Sequence, residues 1–181
     1  LTAAETAIIV ANATAGFEVG LEQAIENLEK RQIAKALLIN RMDSENADFY
    51  KTIETIQDNY GKNIVPLLIP IGKESGFKGV IDILAKKAYI NDKPTDVPAD
   101  MTEKVDELRE KLVEVAAESN DTLMEKYLET FELTEDELLS GLKEGIINGS
   151  LIPAFACSAS ANVGIKSFLW AVKEYLPSPA D

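Results

Sequence analysis

An α/β fold with three parallel strands, interrupted by an α+β insertion, is predicted by two features of the sequence. Apolar runs of strand length alternate with helically spaced apolar residues at both ends of the chain. Between them, over residues 63–148, that alternation gives way to another pattern. The 181 residues thus divide into a discontinuous unit, 1–62 with 149–181, and an inserted sub-domain, 63–148. With 46% apolar residues the chain can build a core.

The first strand is Ala7 to Ala11, a near-continuous apolar run that suits burial on both faces. Phe17, Leu21, Ala24, Ile25 and Leu28 then recur at helical spacing. "KALLIN", Lys35 to Asn40, is a second buried strand. Phe49, Ile53, Ile56 and Tyr60 mark a second helix, with Gly61 as its stop. Strand, helix, strand, helix at this spacing predicts right-handed β-α-β units in an open parallel sheet. "IVPLLIPIG" is another strand, and "GFKGVIDILAKKAYI" has the Gly-punctuated short runs of a small sheet. "NDKPTDVPAD" is a polar loop. Asp100 with Glu103 predicts a capped start for a long helix with Val105, Leu108, Leu112 and Val115 on its buried stripe. That helix extends to Leu128, with Ser119–Asn120 as its point of weakness. Thr134 with Glu137 caps the next helix, which ends near Gly149. Its Gly141-x-x-x-Gly145 spacing matches helix-packing motifs, but in a water-soluble setting it reads as weak helix positions. "LIPAFACSA", Leu151 to Ala159, is the third buried strand. Ile165, Phe168, Leu169, Val172 and Leu176 form a last helix, closed by Pro177.

Composition excludes several chemistries. The sequence has no histidine, which removes His-based triads, His metal sites and His general bases. Cys157 is the single cysteine, so no internal disulfide forms, and it reads as a small buried hydrophobe. A net charge of −13 argues against DNA or other nucleic acid binding through bulk charge, and favours a basic partner surface. Lys73, Lys78, Lys86 and Lys87 read as scattered surface lysines. No apolar run approaches the ~20 residues of a membrane span. The N-terminal "LTAAETAIIV" lacks the basic region and cleavage site of a signal peptide, so a cytoplasmic location is expected.

The chemistry gathers at strand ends, where open parallel sheets bind ligands. The second strand ends in Asn40-Arg41-Met42-Asp43 and the third in Cys157-Ser158-Ala159. An ionised Asp43 offers only acceptors. Guanine presents two adjacent donors, its ring N1–H and 2-amino group, and a carboxylate pairs with both in a fork. Adenine has an acceptor at N1 and would leave the carboxylate unpaired, a difference on the order of 4 kcal/mol or more in good cases. Asn40 would contact the N7 side of the base and brace neighbouring loops. Arg41 would lay its stem or guanidinium over the ring. Ser158-Ala159 would offer a backbone N–H to the base carbonyl. The plainer alternative for Asp43 is a helix cap.

"NRMD" is similar to the Asn-Lys-x-Asp motif of GTP-binding proteins, and "CSA" to their Ser-Ala motif. "NATAGFEVG", "VPLLIPIGKESGFKGVIDIL", "LMEKYLE", "LTEDEL" and "WAVKEYLPSP" resemble bacterial elongation factor G over essentially the whole chain, inserted sub-domain included. The resemblance implies part of a P-loop GTPase fold from a ribosome-dependent factor of translocation or recycling, with GTP or GDP as ligand. It also implies that Asn40, Asp43, Ser158 and Ala159 recognise the base. Arg41 departs from the family's Lys, and Asn12 stands where the family usually has Asp. No G-x-x-x-x-G-K-[ST] is present. The phosphate- and Mg2+-binding half is therefore expected elsewhere in a longer parent, with this piece inactive alone and an apolar sheet edge left exposed. Glu103, Glu107, Glu110, Glu114 and Glu118 lie on one helical face. The resemblance implies that this face docks the stalk protein of the large ribosomal subunit, while the parent contacts ribosomal RNA. The competing expectation, favoured by the departures at Arg41 and Asn12, is a ribosome-binding module that no longer cycles nucleotide.

Overall fold

A computed structural model describes residues 4, 6–15, 18–60 and 63–177. Phe17 and Gly61, expected in and after helices, lie outside those residues. The described chain runs β1 (Thr6–Asn12), α1 (Val19–Glu29), β2 (Ala34–Asn40), α2 (Phe49–Tyr60) and β3 (Asn63–Ile71). It continues with β4 (Gly79–Asp82), β5 (Lys87–Ile90), β6 (Lys93–Thr95), α3 (Thr102–Ala117) and α4 (Asp121–Thr130). It ends with α5 (Glu135–Asn148), β7 (Leu151–Ala156) and α6 (Ile165–Tyr175). Among the described residues the strands form one seven-stranded sheet in the order β1-β2-β7-β3-β4-β5-β6.

The predicted α/β class is the one observed. β1, β2, β7 and β3 are parallel, and β4, β5 and β6 continue the same sheet antiparallel. Two expectations change. "IVPLLIPIG" is a fourth parallel strand, paired to β7 from Asn63↔Leu151 onward. The small sheet is not separate, because β4 pairs with β3 from Leu68↔Asp82 to Ile71↔Gly79. Gly79 permits the next pairing, of β4 with β5: a Cβ there would meet the Tyr89 carbonyl oxygen at 2.2 Å.

β2 and β7 are central and buried along nearly their whole length. Their apolar runs fit a strand covered on both faces. β1 carries a similar run but alternates in burial: Ile9 and Ala11 are covered, whereas Ile8 and Val10 are 42% and 59% exposed. Position explains the difference, since β1 is the sheet edge and packs against α1 through one face.

The long helix breaks where its weak point lay. α3 ends at Ala117, and Asn120 starts α4, accepting the Thr122 and Leu123 N–H groups at 2.9 and 3.3 Å. Asp100 is not its cap: a short 3-10 turn, Ala99–Met101, precedes α3, and no side chain caps it. Thr134 and Glu137 do form a reciprocal capping box on α5. Gly141 and Gly145 prove to be packing positions. A Cβ on Gly141 would lie 2.6 Å from the Ala116 carbonyl oxygen of α3. Asp82, fully buried at the end of β4, accepts the Tyr175 hydroxyl at 2.8 Å and the Ala85 N–H at 2.9 Å. The end of β4 is thereby tied to α6.

Candidate functional site

Sheet order puts the two polar strand ends side by side. β2 and β7 are parallel neighbours, in register from Leu37↔Ala154 to Ile39↔Ala156. The residues that follow Ile39 and Ala156 therefore emerge together at the carboxyl edge. The junction is bonded both ways: Cys157 donates its N–H to the Ile39 carbonyl at 2.9 Å, and Met42 donates to the Cys157 carbonyl at 3.2 Å. The Met42 side chain is buried, which anchors the loop between Arg41 and Asp43 to the core.

Asn40 links three segments. Its carbonyl accepts the Ala13 N–H at 3.0 Å, holding the end of β1. Its side-chain Oδ1 accepts the Arg41 N–H at 2.8 Å and the Ala159 N–H at 3.0 Å. An amide oxygen with two lone pairs is then filled, while the amide's two N–H donors make no hydrogen bond among the described residues. Bracing of the neighbouring loop is thus realised, and the Asn40 donors remain for an acceptor such as a ring nitrogen. The expected N–H from Ala159 to a base carbonyl meets competition, because Asn40 already holds that donor, and the Ser158 N–H is held by the Val163 carbonyl at 2.9 Å.

Asp43 is half-buried and accepts the Ser158 hydroxyl on Oδ1 at 2.6 Å and the Ser160 hydroxyl on Oδ2 at 3.1 Å. The Ser158 hydroxyl holds the carboxyl below its ordinary range, with smaller help from its own backbone, Ser160 and the Arg41 guanidinium, against partial burial. Asp43 is accordingly ionised at neutral pH, as a fork to two donors requires. The helix-cap alternative fails on geometry: the side chain that caps α2 is Asp48, which accepts the Lys51 N–H at 3.0 Å. Arg41 is exposed, with its backbone at φ +66°, a left-handed conformation that non-glycine residues adopt at a cost of about 1 kcal/mol. That backbone turn throws its side chain outward beside Asp43. Cys157 is fully buried, and burial, with Asp43 nearby, pushes its thiol up to about 12, so it is neutral and no nucleophile.

The Ser158 turn is itself stiff. Ser158 and Val163 exchange both backbone hydrogen bonds, at 2.9 and 3.0 Å, and the Ser158 hydroxyl accepts the Ala161 N–H at 3.1 Å. Gly164 closes it at φ +78°, packed against the Ala156 carbonyl oxygen and Val80, and starts α6. Asn12, the other departure, turns inward on its own loop, accepting the Thr14 N–H and hydroxyl at 3.2 and 3.0 Å.

Asn40, Arg41, Asp43, Ser158 and Ala159 are therefore brought together. Glu103, Glu107, Glu110 and Glu114 lie apart from them, on α3. There Glu107 is engaged by Lys104 at 3.2 Å and Lys111 at 2.9 Å. Ser160 was not anticipated from sequence; the one available signal is a second hydroxyl two residues after Ser158 in a tight turn.

The chain matches the family described as the elongation factor Tu GTP binding domain over residues 1–178. Among solved structures, a protein from Thermus thermophilus superposes with a TM-score of 0.89 at 29% sequence identity over 98% of this chain. The match takes in 27% of that protein's length, so the present chain spans about a quarter of it.

Proposed function

The chain belongs to the elongation factor Tu GTP-binding-domain family, and from that premise we propose that Asn40–Asp43 and Ser158–Ala159 form the guanine-recognising half of a GTP/GDP site. The observation that carries this reading is the ionised Asp43 carboxylate, held at the carboxyl edge of the sheet by the Ser158 turn. Each carboxylate oxygen has two lone pairs, so a bound serine hydroxyl does not bar a base N–H. The Asn40 amide donors face N7, and Arg41 covers the ring. Ala159 contacts the base carbonyl once its N–H is shared with, or released from, Asn40.

The work of this chain is to bind and orient the base. We place the phosphate and Mg2+ contacts in other parts of a longer factor, because the sequence holds no phosphate-loop motif. Mg2+ supplies charge neutralisation on the phosphates when bound there. The isolated chain then has nothing to stabilise transition-state charge and does not hydrolyse GTP. Base contacts alone give it an affinity no tighter than about 1 mM. The parent acts on the ribosome in the manner of elongation factor G, in translocation or recycling, with residues 63–148 as an inserted sub-domain.

The α3 face is the docking surface for the large-subunit stalk protein. With Glu107 neutralised by its two lysines, Glu103, Glu110 and Glu114 carry the attraction. Glu110→Lys with Glu114→Lys is expected to slow ribosome-stimulated GTP hydrolysis while leaving GDP affinity unchanged.

The deciding experiment is nucleotide titration of the full-length protein. GDP is expected to bind at least a hundredfold more tightly than ADP, from the ~4 kcal/mol difference between paired and unpaired Asp43. Asp43→Asn is expected to shift preference toward xanthosine diphosphate, whose 2-carbonyl needs a donor. Equal affinity for GDP and ADP would falsify the reading. A parent that binds the ribosome but no nucleotide would instead establish the nucleotide-independent module.

A further inference from the structure

We infer that Ser160 is a positioning residue which fixes the plane of the Asp43 carboxylate for a two-donor base edge. The inference rests on the base-recognition reading above and concerns a residue outside the two strand-end motifs.

The argument is one of proton counting. The Ser158 hydroxyl has one proton, and it goes to Asp43 Oδ1 at 2.6 Å. One Ser158 lone pair accepts the Ala161 N–H at 3.1 Å, which leaves a second one open. Ser160 Oγ stands 3.1 Å from Asp43 Oδ2 and 3.2 Å from Ser158 Oγ. Its single proton therefore has two acceptors in reach. With no base bound, the carboxylate is the stronger acceptor and takes it. A ligand N–H arriving at Oδ2 takes that oxygen's other lone pair, and the Ser160 bond stays in place.

The two serines differ in kind. Ser158 is fully buried and its turn is bonded on both sides, so it is fixed. Ser160 is exposed, so its hold on Oδ2 can be removed without opening the core. An aspartate's terminal torsion is broad and roughly two-fold, so one anchored oxygen leaves the plane loose. Holding both oxygens sets the plane in advance. That matters for a ligand needing both oxygens at once and little for a ligand needing one. Guanine has two donors on this edge; hypoxanthine lacks the 2-amino group and has one. The charged or titratable groups near Asp43 are Arg41, on its own loop, and Cys157, at the end of β7.

The test compares GDP with inosine diphosphate by calorimetric titration of the full-length protein. Ser160→Ala is expected to weaken GDP about threefold to tenfold, as the carboxylate plane is no longer set in advance, and inosine diphosphate by less than about twofold. Ser160→Thr, which keeps the hydroxyl, restores GDP binding. In the nucleotide-free protein, the Asp43 carboxyl resonance is expected to titrate at higher pH in Ser160→Ala than in the unsubstituted protein. Equal weakening of both ligands, or an unmoved Asp43 titration, overturns the inference while leaving guanine recognition intact. An unsubstituted protein that binds neither nucleotide overturns both together.

Discussion

Asn40 Oδ1 accepts two backbone N–H groups, one from the next residue and one from a segment 119 positions away, so truncating it strips two donors at once. Asn40→Ala is expected to destabilise the fold by about 1–3 kcal/mol, read as a lower urea midpoint at unchanged m-value. An unchanged midpoint would mean that water replaces both contacts without loss. The two notable aspartates respond oppositely to acid. Asp43 has a folded pKa below its unfolded value near 3.9, so its contribution is complete above that value and is lost as pH falls through the folded pKa. Asp82 is raised, chiefly by burial, despite the donors from Ala85 and Tyr175. Its burial penalty therefore applies above the folded pKa and is relieved as pH falls through it toward about 3.9. Tyr175→Phe removes a buried donor to Asp82 and is expected to cost about 1–3 kcal/mol where the carboxyl is ionised, shrinking as it protonates. A loss that stays constant with pH would show that the hydroxyl does not stabilise the ionised form.

Helix α5 carries two opposed lessons about local sequence. Its start is written in four residues: Thr134 accepts the Glu137 N–H, and Glu137 returns to the Thr134 N–H at 2.8 Å. Lys126 of α4 then pairs with Glu137 at 2.6 Å, and together these contacts hold that carboxyl down to about 2. Thr134→Ala is expected to cost about 1 kcal/mol by thermal or urea unfolding. The Glu137 contribution is complete above the unfolded value near 4.5 and is lost as pH falls from there through about 2. Its middle is the reverse case. Alanine favours a helix over glycine by about 1 kcal/mol, yet a Cβ at Gly141 strikes the Ala116 carbonyl oxygen at 2.6 Å and Leu123 at 2.9 Å. Gly141→Ala is therefore expected to destabilise by about 1–3 kcal/mol, and a stabilised variant would show that α3 moves aside freely. The contrast explains what could be read in advance. Signals confined to a few residues were legible: the capping box, the Asn120 break, and the polar ends of β2 and β7. Features set by distant partners were not: the exposure of β1, the joining of β4 to β3, the α3–α5 contact at Gly141, and the reach of Ser160 to Asp43.

At the scale of the whole molecule, two terms compete at the open edge of the sheet. β1 leaves its backbone edge unpaired by any described strand and shows Ile8 and Val10 on an uncovered face. Covering these two side chains on each of two copies contributes roughly 4 kcal/mol of gross burial, which must exceed the entropy of association before a contact forms. Against this stands a net charge of −13 on every copy. Like charge at this density repels over a Debye length of about 10 Å at 0.1 M salt and only about 3 Å at 1 M. Self-association of the 181-residue chain should therefore be weak at low salt and should strengthen as salt rises, opposite to an ion-paired interface. Val10→Lys places a charge on the uncovered face, the device by which natural edge strands resist pairing. In sedimentation velocity at high salt, the weight-average coefficient of the unsubstituted chain should climb with concentration and that of the variant should stay at the monomer value. If both climb alike, the contact lies elsewhere, and the exposed Leu128 and Phe131 at the end of α4 become the surface to alter. If neither climbs at about 1 M salt, the apolar face of β1 is too small to overcome the entropy of association.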